Sequence, residues 1–166
     1  MGGSVTRNNP DLPGCLQRYF DERQSFAAIN SRGETEWNET VVEMVHGTHA
    51  LRIVDRTTLR DSLLEVSHEG ALDLARLISG GSLLYGPSES LRTLDTERDE
   101  CLRETLATAG KNARFFTNHG HAEDGDQADF LVSSFHVNSL ADTTIDVCLI
   151  GVSDENVLVL WRFEDD

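Results

Sequence analysis

Ile145-Asp146-Val147-Cys148-Leu149-Ile150-Gly151-Val152, then Ser153-Asp154-Glu155-Asn156, then Val157-Leu158-Val159-Leu160-Trp161-Arg162-Phe163 is the stretch whose reading decides the fold. Two β-rich runs flank four turn-forming residues, the pattern of a β-hairpin. With Val152 opposite Val157, one face carries Cys148, Ile150, Val152, Val157, Val159, Trp161 and Phe163. The other carries Ile145, Val147, Leu149, Leu158 and Leu160. A strand pair with one wet face alternates apolar and polar residues, whereas here both faces are apolar. The hairpin is therefore expected inside a sheet covered on both sides, with the covering layers supplied by helices upstream.

Working outward, Phe130–Val137 and Asn112–Phe116 read as strands separated by a polar loop over 117–127. Leu91, Leu94, Cys101, Leu102, Thr105 and Ala109 lie at helical spacing, with Arg98 at the edge of that stripe. Glu97, Asp99, Glu100, Arg103 and Glu104 would form the solvated face. Ser82–Tyr85 reads as a short strand leading into a helix at Gly86-Pro87-Ser88. Thr57–Ser79 has a helical period interrupted near Ser67 and Gly70, and Ala50–Val54 reads as a strand ending at Asp55. Asn38 is placed to cap a helix containing Val41, Val42 and Val45. Ser25–Asn30 and Glu34–Trp37 suggest a hairpin turning at Ser31-Arg32-Gly33, and Leu12, Leu16, Tyr19 and Phe20 a short helix. Residues 1–10 read as a flexible arm and 11–166 as one domain.

The alternation of strand and helix from residue 50 favours parallel strands with right-handed crossovers, followed by an antiparallel C-terminal part. The expected class is α/β, with a single mixed sheet covered by helices on its faces. A two-layer α+β arrangement is the alternative. If the strands at 50–54, 82–85 and 112–116 run parallel, Asp55, Gly86, Ser88 and Asn118 emerge at one carboxyl edge, where open α/β sheets place ligands. These four are the candidate ligand-binding residues.

The 29 acidic residues outnumber the 14 basic ones, for a net charge of −15, and Lys111 is the single lysine. From Thr117 onward eleven carboxylates face one base, Arg162, giving −10. Such a field repels phosphate backbones, so direct nucleic-acid binding is not expected. The same balance suits a high-salt cytoplasm, or attraction of a basic protein partner. No apolar run reaches membrane length and no signal-peptide pattern opens the chain, so a cytosolic protein is expected. Cys15, Cys101 and Cys148 are odd in number, far apart and without C-x-x-C spacing, and are expected as buried free thiols.

The segment Asn118-His119-Gly120-His121-Ala122-Glu123-Asp124-Gly125-Asp126 offers imidazoles and carboxylates suited to a divalent transition metal. His119, His121 and Asp124 are the candidate ligands. No G-x-S-x-G is present, and no cysteine sits beside a group that would lower its pKa. The leading expectation is a non-enzymatic cytosolic regulatory or accessory domain that senses a small ligand or engages a protein partner. A metal-dependent hydrolase using the His119/His121/Asp124 loop, and an acidic inhibitor or nucleic-acid mimic, are the alternatives.

Overall fold

A computed structural model describes residues 11–21, 23–46, 56–80, 82–84, 91–132 and 135–165. The hairpin forms as its pattern dictates. Strand β4 (Ile145–Val152) pairs antiparallel with β5 (Asn156–Glu164), with Val152 opposite Val157 and Cys148 opposite Trp161. Three further strands, β1 (Ser25–Ser31), β2 (Leu64–Val66) and β3 (Arg114–Thr117), complete a sheet of order β1-β5-β4-β3-β2.

Every pairing in this sheet is antiparallel, which overturns the expected mixed sheet with its parallel strands and crossovers. The α+β class fits instead. The parallel expectation rested on strands at 50–54 and 82–85. The first lies outside the described residues. In the second, Ser82–Leu84 form no strand, because their polar groups are satisfied by a side chain: Glu164 accepts from Ser82 Oγ (2.9 Å), Leu83 N (2.7 Å) and Leu84 N (3.4 Å). A segment whose amides are met by a buried carboxylate has no need of a ladder. Of the expected strand Phe130–Val137, the described residues contribute an isolated bridge, from Val137 to His119, and no strand.

Helices α1 (Trp37–Val45), α2 (Arg56–Asp61), α3 (His68–Ser79) and α4 (Thr96–Ala107) flank the sheet. Val147, Leu149, Leu158 and Leu160 pack with residues of α3 and α4 on one face. Cys148, Ile150, Val152, Val157, Val159 and Trp161 pack with Val41 and Val45 of α1 and Leu59 of α2 on the other. Both apolar faces of the hairpin are thus covered, as their composition requires, and Trp161 is fully buried. At about 25 cal/mol per Å² of apolar area, these faces supply the main drive for sheet burial.

Several local expectations yield to long-range partners. Ser25–Ser31 makes no local hairpin: it pairs with β5, and the chain enters α1 at Trp37 after an extended Glu36 cap. The break in 57–79 holds strand β2, between α2 and an α3 capped by Ser67 Oγ accepting from Gly70 N. Helix α4 begins at Thr96, behind an Asp95 cap whose side chain accepts from Arg98 N, so Leu91 lies ahead of it and Leu94 is 82% exposed. Asp99 is buried instead of solvated, because Arg76 of α3 reaches it with two bonds of 2.9 and 3.1 Å. Burial disfavours the Asp99 carboxylate, but the bonds from Arg76 and Arg98 outweigh it and hold its pKa below the usual range.

The free-thiol expectation holds for Cys148, which is buried, but Cys15 and Cys101 form a disulfide 86 residues apart. It ties the 3-10 turn Gly14–Arg18 to α4. Distance along the sequence was no guide, because the fold places the turn against that helix. Among the described residues, no helix is long and apolar enough to cross a membrane.

Candidate functional site

Strand β3 ends at Thr117, whose hydroxyl donates to Cys148 O at 2.6 Å and accepts the His119 amide at 3.2 Å. The next residue continues the pairing with its side chain. Asn118 Oδ1 accepts Cys148 N at 2.9 Å, while Nδ2 donates to Asp146 Oδ2 (2.9 Å), Asp146 O (3.2 Å) and Asn138 O (3.1 Å). Asn118 was expected to bind a ligand. In the fold its amide is committed to clamping β3 onto β4 beyond the last ladder pair.

His119 is fully buried, stacked on Phe135 at 4.5 Å and edge-on to Phe130 at 5.0 Å. Its Nδ1 accepts the His121 amide at 3.1 Å, which places the ring proton on Nε2. That Nε2 has no hydrogen-bond partner among the described residues. Burial first, then the charges of His121 and His136, lowers the His119 pKa to about 3, so the ring is neutral. His121 lies 5.1 Å away, ring centre to ring centre, and donates through Nδ1 to Asp129 O at 2.9 Å. Gly120 packs so closely on His136 that a side chain there would collide with the imidazole.

The third expected metal ligand does not join them. Asp124 is exposed on a 3-10 segment, Gly120–Gln127, kinked at Gly125. Among the described residues no three His, Cys, Asp or Glu side chains are grouped to hold a metal. Asp55, Gly86 and Ser88 lie outside the described residues, so the expected common edge with Asn118 is not on view. Of the eleven acidic residues after Thr117, Asp146 and Glu164 are interior, which weakens the surface field that a nucleic-acid mimic would use.

A different site gathers at the β4–β5 turn. Arg32, Trp37, Lys111, Asn112, Arg114, Phe116, Val152, Ser153 and Asp154 line a cleft of about 400 Å³. Its floor follows from the sheet register: Arg114 and Phe116 alternate along β3 on the face shared with Val152 and Ile150, where α1 does not reach over them completely. Trp37, the first residue of α1, stacks on Phe116 with ring centres 5.0 Å apart and planes 14° apart. The Arg114 guanidinium lies 5.3 Å from the same ring, held by Glu65 through bonds of 2.6 and 3.1 Å. That pair raises the Arg114 pKa, by its hydrogen bond first and its charge second, and keeps the group cationic.

Arg32 enters from the end of β1. Its amide donates to Glu155 O at 2.7 Å and its Nη1 to Ser153 O at 3.1 Å. Ser153 Oγ in turn accepts Glu155 N and Asn156 N at 3.1 and 3.2 Å, fixing the turn. Gly110 has φ +110, and a Cβ on it would strike Ser153 Oγ, so the backbone ahead of Lys111 comes against the turn only as glycine. Asn112 follows with a left-handed φ of 59.

No protein-family model, curated protein or solved structure matches the chain. The cleft stands on its geometry alone. Sequence reading missed it because its residues were spent as turn and strand formers. The available signal was charge: the single lysine lies three positions from an arginine, at the start of a strand carrying a half-exposed aromatic.

Proposed function

We propose that this chain is a non-enzymatic regulatory or accessory domain that senses a small anionic ligand in the cleft at the β4–β5 turn. One observation carries the reading: in a chain of net charge −15, Arg32, Lys111 and Arg114 converge on one concave site with a single lining carboxylate, Asp154. The overall negative charge repels anions at long range, so a site that takes one needs cations gathered locally, as they are here. Arg114 has a structural duty in part, through Glu65, and Arg32 through Ser153 O. Among the described residues Lys111 makes no ion pair, and it is exposed in the lining of the cleft. Binding without turnover suits the lining. Its one lining hydroxyl, Ser153 Oγ, is engaged in the turn, where it accepts two backbone amides.

The test is a titration with acetate at low ionic strength, followed by amide chemical shifts. Saturable shifts at Lys111, Asn112 and Ser153, abolished in the Arg32→Gln/Lys111→Gln variant, are expected. Absence of any saturable shift at these residues would refute the proposal.

A further inference from the structure

We infer that the ligand of this cleft is a flat aromatic ring bearing one carboxylate. This rests on the anion-binding reading above and narrows it on two grounds, charge and shape. The three lining cations against Asp154 leave a formal +2, and counting Glu65, which neutralises Arg114, leaves +1. A site with one uncompensated positive charge, in a strongly acidic chain, matches a monoanion and disfavours di- and triphosphates. Lys111, which makes no ion pair among the described residues, is a point charge on a flexible stem. Arg114 is turned toward Glu65 by a bidentate pair, so its fork is already occupied.

The shape argument comes from Trp37 and Phe116. Both are half-buried, with their remaining surface lining the cleft beside the cations. Stacked on each other, with the guanidinium over Phe116, they give the cleft one aromatic wall. Aliphatic anions need no such wall, whereas a ring adds its own stacking to it. A volume of about 400 Å³ accepts a one- or two-ring acid and falls within the range of small-molecule sites. Held by Lys111 at its carboxylate and by Trp37 along its ring, the ligand would span the cleft from mouth to wall.

Three probes separate the two grounds: acetate, cyclohexanecarboxylate and benzoate. All carry one charge, and only the last has a π face. Binding is read by amide shifts and by the fluorescence of Trp37, the other tryptophan, Trp161, being fully buried. Benzoate is expected to bind about tenfold more tightly than cyclohexanecarboxylate, the size of a good aromatic contact. The Trp37→Leu variant should lose that increment while keeping its affinity for acetate, which also shows that it is folded. If acetate binds and benzoate is no tighter than cyclohexanecarboxylate, the aromatic inference is overturned and the anion site stands. If none of the three binds, both fall.

Discussion

Asn118 and Asp146, 28 residues apart, are joined inside the protein by a 2.9 Å bond from Nδ2 to Oδ2. The same carboxylate accepts Trp161 Nε1 at 2.9 Å and Leu140 N at 3.1 Å, so one buried acidic group gathers β3, β4, β5 and the segment before β4. Burial raises its pKa against the pull of these donors.

Replacing Asp146 by Asn puts an amide NH₂ where donors already point. The expected cost is roughly 1–3 kcal/mol, the usual penalty for a buried unsatisfied polar group. Asp146→Ala, which orphans the donors of Trp161, Asn118 and Leu140, should cost more. Urea unfolding measures both, and an Asp146→Asn variant as stable as the parent would mean the network is not a stabilising one.

His119 sets a pH dependence. It is neutral in the fold down to about pH 3, whereas the unfolded chain takes up the proton near 6.5, so acid favours unfolding. Its contribution is intact above pH 6.5 and is lost progressively as pH falls toward 3, to the extent of roughly 4–5 kcal/mol. The stability difference between the parent and His119→Phe should therefore change between pH 7 and pH 4, with the variant gaining in relative terms. A difference that is constant across that range would show the ring to be accessible to protons.

Glu164 and Arg162 are both interior and bonded at 2.7 Å, and Glu164 also satisfies Leu83 N and Ser82 Oγ. Glu164→Gln leaves the Arg162 charge buried with neutral acceptors such as Gln24 Oε1 and Ile78 O and no carboxylate bonded to it among the described residues. A loss of about 3 kcal/mol or more is expected. Thermal unfolding within a degree or two of the parent would contradict it.

How much of this was legible follows from where each residue's partner lies. The hairpin could be read to the register because its partners are adjacent in sequence and its alternation fixes which side chains share a face. The direction of the sheet could not, since Glu164 replaces a ladder for Ser82–Leu84 from 80 residues away. Asp99 carries the same lesson: on a helix drawn alone it belongs with the solvated residues, and only Arg76 on another helix takes it inside. His119 and His121 lie with ring centres 5.1 Å apart, but the buried, aromatic-packed setting of His119 depends on Phe130 and Phe135 folding back over it, which their positions in the sequence do not reveal. The cleft was invisible because Arg32, Trp37, Lys111 and Phe116 meet only when β1, α1 and β3 come together around the β4–β5 turn.

The strand order β1-β5-β4-β3-β2 puts the last-made strands in the middle. On the ribosome, β1 waits with nothing to pair with until β5 emerges more than a hundred residues later, and β3 can find β2 but not β4. Closing so long a loop before any reward makes such pairing slow. The nascent chain therefore carries β1 without its ladder partner through most of its synthesis, and Trp37 without Phe116 until β3 is made. Assembly of the sheet, and of the cleft with it, is a single late event timed by the C-terminal hairpin.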